Sequence, residues 1–265
     1  MKRDFGGDAA GYYHRYRHGY PSAAIDALVG AFKLTGQDVM VDLGCGTGQL
    51  TLPMARHVRA VIGVDVELDM LEHAQQAARD ADVRNVMWML GADADIPVLR
   101  RLLGDRSVGA VTIAQALHWM NHQDLFRAVA PLVRPSGGIA VVTNGTPLWL
   151  QETDWAQALR DFLEHWLGTT LTYACGTDEH SQRRYRDDLT AAGFEVSTTA
   201  VDYVASLDMD QLVGGVCSAM GSRLPAANQR TAFAGQIRAA LAPHVRFSEH
   251  VHVAMLVGTR NSECG

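Results

Sequence analysis

Three carboxylates and a glycine-rich turn carry the chemistry that this chain shows first. Asp42-Leu43-Gly44-Cys45-Gly46-Thr47-Gly48 sets alternate glycines directly behind an apolar run. Glycines let the backbone turn tightly and approach a ligand where a side chain would collide. A helix beginning just beyond them would turn its free N–H groups toward a polar or anionic group. Asp65 closes the next apolar run, where its carboxylate can accept both hydroxyls of a ribose lying across two neighbouring strands. Val66 and Met70 continue along that edge. Asp93, in Gly91-Ala92-Asp93-Ala94, follows a third run and can accept the exocyclic amine of an adenine. Any one of these acids alone reads as a helix cap or a solvated loop residue. Three of them at successive strand ends, in order, read as a nucleoside site.

Gln115-Ala116-Leu117-His118-Trp119-Met120 follows a fourth run, and its imidazole can take or give a proton near neutral pH. His118 and His122 are four residues apart, a spacing that suits two metal ligands, but no HExxH pattern or acidic cluster accompanies them. No metal is expected. His250 and His252 share one side of a late strand and read as surface or interface residues. Tyr13, Tyr16 and Arg17 belong to an aromatic and basic opening stretch, which either folds over a ligand or forms a helix packed on the sheet.

The elements that must hold these residues alternate. Apolar runs at 39–43, 60–65, 86–90, 110–114 and 138–143 read as strands, with helices expected over 23–32, 50–57, 70–79 and 124–133. Short apolar strands separated by helices imply a doubly wound, mostly parallel α/β sheet with ligands at the strands' carboxyl ends. After Gly145 the rhythm breaks into helices over 149–167, 183–192, 208–220 and 228–241, with late strands at 196–204 and 250–258. The domain reading is N-terminal lid helices over 1–35 and a ligand-binding core over 36–145. A helical elaboration spans 146–192 and 205–245, and strands at 193–204 and 246–260 complete the sheet.

With 265 residues and 48% hydrophobic content the chain can bury one substantial core. A net charge of −6 supplies no basic footprint, so a nucleic-acid partner is not expected. Cys45, Cys175, Cys217 and Cys264 are scattered and read as reduced thiols. Residues 1–20 lack the apolar stretch of a signal peptide, and no run approaches the roughly 20 apolar residues of a membrane span. The expectation is a cytoplasmic protein, monomeric or homodimeric, with no membrane partner.

A dinucleotide loop would carry GxGxxG with room for a pyrophosphate; here Gly44, Gly46 and Gly48 lack that third spacing. The chain instead resembles the class I S-adenosylmethionine-dependent methyltransferases. The likeness runs through Val41-Asp42-Leu43-Gly44-Cys45-Gly46-Thr47-Gly48, Gly63-Val64-Asp65 with Met70-Leu71 after it, and Leu132-Val133-Arg134-Pro135-Ser136-Gly137-Gly138. It covers residues 9–143 firmly and the remainder loosely. The opening Tyr13-His14-Arg15-Tyr16-Arg17-His18-Gly19-Tyr20-Pro21 and His118-Trp119 are similar to the trans-aconitate-type small-molecule subgroup, with His18 in place of the usual proline.

The resemblance implies a seven-stranded Rossmann-like methyltransferase fold with a helical lid. It implies S-adenosyl-L-methionine as cofactor, S-adenosyl-L-homocysteine as product, and a small-molecule acceptor. Cofactor contacts are then expected from Tyr13, Arg17, Asp42, Gly44, Cys45, Gly46, Gly48, Asp65, Val66, Met70, Ala92, Asp93, Ala94, Gln115 and Trp119. Arg17 would pair with the cofactor carboxylate. His118 is the candidate base, with a pocket wall as its other reading. For the acceptor, the acidic balance leans toward N-methylation of an amino-sugar natural product, as in aminoglycoside antibiotic biosynthesis. Glu152, Asp154, Asp161, Glu164, Asp178 and Glu179 are its candidate contacts. Carboxyl or hydroxyl O-methylation is the alternative, with Arg183, Arg184 and Arg186 as the available cluster. A non-catalytic cofactor-binding regulator is the reading from another class.

Overall fold

The computed structural model describes residues 5–172 and 175–261, so Cys264 lies outside the described residues. Its centre is a seven-stranded sheet in the order β3-β2-β1-β4-β5-β7-β6. The strands are β1 (Val39–Leu43), β2 (Ala60–Asp65), β3 (Val86–Leu90), β4 (Val108–Ala114), β5 (Val133–Asn144), β6 (Glu195–Leu207) and β7 (Phe247–Thr259). The first five run parallel, and β7 pairs antiparallel with both β5 and β6. The doubly wound sheet expected from the strand–helix rhythm is present. The chain winds outward through β1, β2 and β3, then returns to lay β4 on the other side of β1. That reversal is the switch point at which such sheets open a crevice.

Two layers bury the sheet. Helices α2 (Ser22–Ala31) and α3 (Thr51–Ala55) pack on one face around Phe32, Met40, Val61 and Met255. Helices α5 (Ile96–Leu103), α6 (His122–Val129) and α8 (Glu179–Ala191) cover the other around Val41, Ile113, Phe126 and Leu189. Helix α4 (Leu68–Asp80) joins β2 to β3. A third apolar core stands apart from both, built by α7 (Asp154–Leu167), α9 (Met209–Ala219) and α10 (Arg230–Leu241) around Trp155, Leu159, Phe233 and Ile237. None of the helices among the described residues is long and apolar enough to cross a membrane.

The structure departs from the sequence expectation in specific places. Helix α5 was not anticipated, because Pro97 near its start and Arg100-Arg101 in its last turn mask a short apolar stripe. The helix expected over 124–133 stops at Val129, and Val133 already pairs with Val108 as the start of β5. The opening stretch forms α1 (Asp8–Tyr16), and this helix packs on α9 and α4 rather than on the sheet.

The α1–α9 contact is made by absence. Gly214 of α9 carries no side chain where the Tyr16 ring lies, and a Cβ built there would stand 2.3 Å from Tyr16 Cγ. Glycine inside a helix costs about 1 kcal/mol relative to alanine. At Gly235 of α10 nothing lies within 4 Å of a built Cβ. Gly235→Ala is therefore expected to stabilise the protein by about 1 kcal/mol, whereas Gly214→Ala should destabilise it by about 1–3 kcal/mol through overpacking. Urea denaturation of the two variants side by side checks this; equal shifts of the same sign would refute the contact.

Candidate functional site

The glycine turn leaves β1 at the switch point, with Gly44, Gly46 and Gly48 at φ 71°, 53° and 89°. These left-handed values suit glycine. The Gly44 and Cys45 N–H groups donate to Val64 O at 2.8 and 3.0 Å, which pins the turn to the end of β2. Asp65 completes the bridge. Its Oδ2 accepts from Gly46 N–H and its Oδ1 from Glu67 N–H, each at 2.9 Å. Burial pushes the Asp65 carboxyl above its ordinary value, while these N–H groups pull against that rise.

Asp42 lies below the turn, 1% exposed. It accepts hydrogen bonds from Thr51 Oγ1 at 2.5 Å and Thr112 Oγ1 at 2.7 Å, tying β1 to α3 and β4. Burial lifts it to about 6, with the two hydroxyls opposing the shift. Asp42 supports the turn from beneath and does not reach the cavity above. Cys45 turns its sulfur toward Gly63, and Gly48 is enclosed by Leu52, Trp88 and Ala74, so their side-chain positions also lie off the cavity.

That cavity has a volume of about 340 Å³. Gly44, Gly46, Asp65, Val66 and Met70 line one end, and Tyr13 and Arg17 reach in from α1 and its exit. The Arg17 guanidinium carbon sits 5.4 Å from the Tyr13 ring centre, and its Nε donates to Ser218 Oγ of α9 at 2.9 Å. The chain before α1 lies along the same rim. Phe5 N–H donates to Glu67 Oε1 at 3.3 Å, Gly7 N–H donates to Asp69 Oδ2, and the Phe5 ring meets Tyr13 and Trp119 edge-on.

Gln115, His118 and Trp119 follow β4 and line the middle of the cavity. Gln115 has φ 53°, uncommon for a residue with a side chain. The His118 ring tilts against Trp119 at 4.9 Å, and burial lowers the imidazole to about 4. It is thus neutral across the physiological range. Ala92, Asp93 and Ala94 do not line the cavity. Asp93 Oδ2 accepts from Asn121 N–H at 3.2 Å, and Asp95 Oδ2 accepts from Ala92 N–H at 2.8 Å.

At the far end the walls are Leu148, Trp149, Tyr203, Leu207, Arg223 and Glu249. The Glu249 side chain is 13% exposed, with His18 Nε2 3.8 Å away, and burial raises its carboxyl. Sequence reasoning missed Glu249, Tyr203, Asn144 and Glu67. Glu249 sits just before the strand read at 250–258, and nothing local announces that β7 carries it to this wall.

The acids expected at the mouth are elsewhere. Glu164 accepts from Leu171 N–H, Asp161 from Gln157, and Asp178 caps α8. Glu179 pairs with Arg183 on the surface of α8, and exposed Glu152 and Asp154 stay off the walls as well. The arginine cluster does not line the cavity: Arg184 meets His122, Arg186 donates to Thr198, and Arg183 and Arg186 face a second hollow that adjoins the first at Gly145 and Thr146. His122 Nδ1 lies 2.7 Å from Asp188, joining α6 to α8, and His252 Nδ1 lies 2.6 Å from Asp202 across β6 and β7.

Residues 40–137 match the model of the family described as a methyltransferase domain. Over 138 residues the chain is 36% identical to an uncharacterised methyltransferase of Mycobacterium tuberculosis, covering 52% of this chain and 51% of that protein. The chain thus spans about half the length of the curated relatives it matches. Among solved structures it is similar to a provisionally assigned type II methyltransferase of Anaeromyxobacter dehalogenans, at TM-score 0.59 and 20% identity over 93% of this chain and 98% of that one. It is also similar to geranyl diphosphate C-methyltransferase of Streptomyces coelicolor in complex with S-adenosyl-L-homocysteine, at TM-score 0.50 and 17% identity over 90% and 77%. The sheet is the seven-stranded, mostly parallel Rossmann-like sheet of the methyltransferases.

The buried Asp42 makes stability depend on pH. A carboxyl raised from 3.8 to about 6 contributes most when protonated, and that contribution drains away as pH rises through 6. Asp42→Asn removes the titration but keeps a permanent offset from the altered hydrogen bonds. The stability difference between variant and wild type should therefore shift in the variant's favour by about 3 kcal/mol between pH 4 and pH 8. Urea titrations across that range measure it, and a pH-independent difference would contradict the assignment.

Proposed function

We propose that this chain is a class I S-adenosylmethionine-dependent methyltransferase acting on a small molecule. The observation that carries the reading is the Gly44–Gly48 turn bridged to Asp65 at the switch point, opening into a cavity roofed by α1 and α9. The residues present suit the cofactor. Asp65 offers a carboxylate to ribose hydroxyls, the bare glycine backbone of the turn lets a ligand approach closely, and Val66 and Met70 offer an apolar edge to a base. When bound, S-adenosylmethionine supplies a methyl group already activated on a sulfonium sulfur. The chain's own task is then to hold the acceptor in line and keep water out. Arg17, turned into the same end, suits the cofactor's carboxylate.

His118 is the candidate base or pocket wall. Its neutral ring can accept a proton, but at about 4 it would release that proton at once to solvent at neutral pH. Placement of the acceptor against Trp119 is the role its burial favours. For the acceptor, the amino-sugar reading loses the acidic side chains that motivated it, and the polyacid reading loses its arginine cluster. Glu249, with the aromatic walls Trp149 and Tyr203, favours a small amine over either. The mixed polar and aromatic wall of Trp149, Tyr203 and Glu249 suits an acceptor and favours catalysis over a regulator. Cys45, Cys175 and Cys217 are free thiols, which suits a reducing, cytoplasmic setting.

Calorimetry with S-adenosylhomocysteine tests the donor. Wild type should bind it, and Asp65→Ala should weaken binding ten- to a hundredfold, the range for hydrogen bonds to a charged group. Undiminished affinity in the variant would remove Asp65 from the donor site. Labelled cofactor offered with a panel of amines, phenols and polyacids tests the acceptor, and labelling of polyacids alone would end the amine reading. With an acceptor in hand, the pH profile of kcat should show no limb near 6.5 that His118→Ala abolishes. Such a limb would restore His118 as the base.

A further inference from the structure

Two side-chain oxygens at the carboxyl ends of β4 and β5 have no partner among the described residues. Gln115 Nε2 donates to the backbone oxygen of Asn144 at 3.0 Å, which fixes the amide's orientation. Its Oε1 is then buried with no hydrogen bond among the described residues, and so is Asn144 Oδ1. Both residues line the cavity. Buried carbonyl oxygens are ordinarily paired, and leaving them unpaired is costly. Gln115 also holds a left-handed backbone, φ 53°, at this point, and such strain gathers where a ligand is gripped. Strain and two orphaned acceptors at adjoining strand ends need a common cause.

Their position says which ligand they face. β4 lies between β1 and β5, and the Gln115 side chain leans onto β5, away from the glycine turn and Asp65. They face the acceptor's half. We infer that Gln115 Oε1 and Asn144 Oδ1 seat the accepting nitrogen of a primary amine, an assignment that rests on the methyltransferase reading above. A primary ammonium gives one N–H to each oxygen, and loss of its third proton to solvent frees a lone pair that points away from both. An alcohol has a single hydrogen and leaves one oxygen unpaired. A carboxylate has none and meets two acceptors with its own negative charge. The charged groups on the surrounding walls are Arg17, Arg223, Glu249 and His18, with Asp65 and Glu67 at the donor end. Of these Arg17 is committed through Nε to Ser218, and Glu249 supplies the anionic wall an amine prefers.

The test uses four probes of one shape: benzylamine, N,N-dimethylbenzylamine, benzyl alcohol and benzoate. Each is titrated by calorimetry into full-length protein saturated with S-adenosylhomocysteine. Benzylamine should bind about tenfold tighter than its dimethyl analogue, which carries the same charge but a single N–H. Asn144→Leu should erase that advantage, Asn144→Asp should keep it, and both variants should bind S-adenosylhomocysteine as wild type does. Equal binding of the two amines, or benzoate or benzyl alcohol binding tightest, overturns the seat. So does a loss of S-adenosylhomocysteine affinity in Asn144→Leu with the probe ranking intact, which would hand the oxygens to the cofactor's own ammonium. If wild type fails to bind S-adenosylhomocysteine, the methyltransferase reading falls and takes the seat with it. Cofactor binding without an amine preference overturns the seat alone.

Discussion

A single buried carboxylate holds the centre of this molecule together. Asp42 lies one residue before the end of β1, and its two oxygens take hydroxyls from a helix on one side and a neighbouring strand on the other. Placing that charge out of water is unfavourable, and two neutral donors compensate only in part. Its position is the return for that cost. The three elements it joins converge where the winding of the sheet reverses, directly under the glycine turn. With its base anchored there and its rim hooked to Asp65, the turn has little freedom left. A preformed end of the cavity follows, in which the glycine backbone and the Asp65 carboxylate are already held in position.

The rest of the site is built on a different principle. Above the strands the roof combines apolar packing with side-chain bonds, Arg17 Nε to Ser218 Oγ and Arg230 to Asp8. Tyr16 lies on the bare backbone at Gly214, Tyr13 sits under Arg17, and Phe5 closes the edge between Tyr13 and Trp119. Backbone N–H groups before and at the start of α1 are fastened to Glu67 and Asp69. The glycine turn is therefore fixed by buried directional bonds, and the roof mainly by packed surfaces.

Legibility in the sequence follows the same division. β1, β2 and β3 were readable to the residue, because each is a short apolar run of strand length cut off by glycine or acid. Asp65 was readable for the same reason, since strand end and acid coincide. Asp42 was visible, but its role was not. A carboxylate beside a glycine turn looks the same from sequence whether it points at a ligand or at two threonines. Asp93 shows a related limit: position at a strand end does not tell which way a side chain goes when a backbone N–H such as that of Asn121 is within reach. The acceptor wall was the least legible. Glu249, Tyr203 and Asn144 meet through antiparallel pairing of strands distant in sequence, and no local spacing encodes that register. The acids of α7 and α8, conspicuous in the sequence, turned outward because helix capping and i,i+4 pairing used them first.

The helical cover has its own apolar core, around Trp155, Leu159, Phe233 and Ile237, with no residue shared with the cores on the two faces of the sheet. Substitutions in separate, non-touching cores add rather than multiply in their effects. The chain can therefore accumulate change in the cover, and so reshape what the far wall accepts, while the turn and its two acids keep their geometry. The glycine turn is thus a fixed part of the fold, and the far wall can be rebuilt around it without disturbing the turn's anchors.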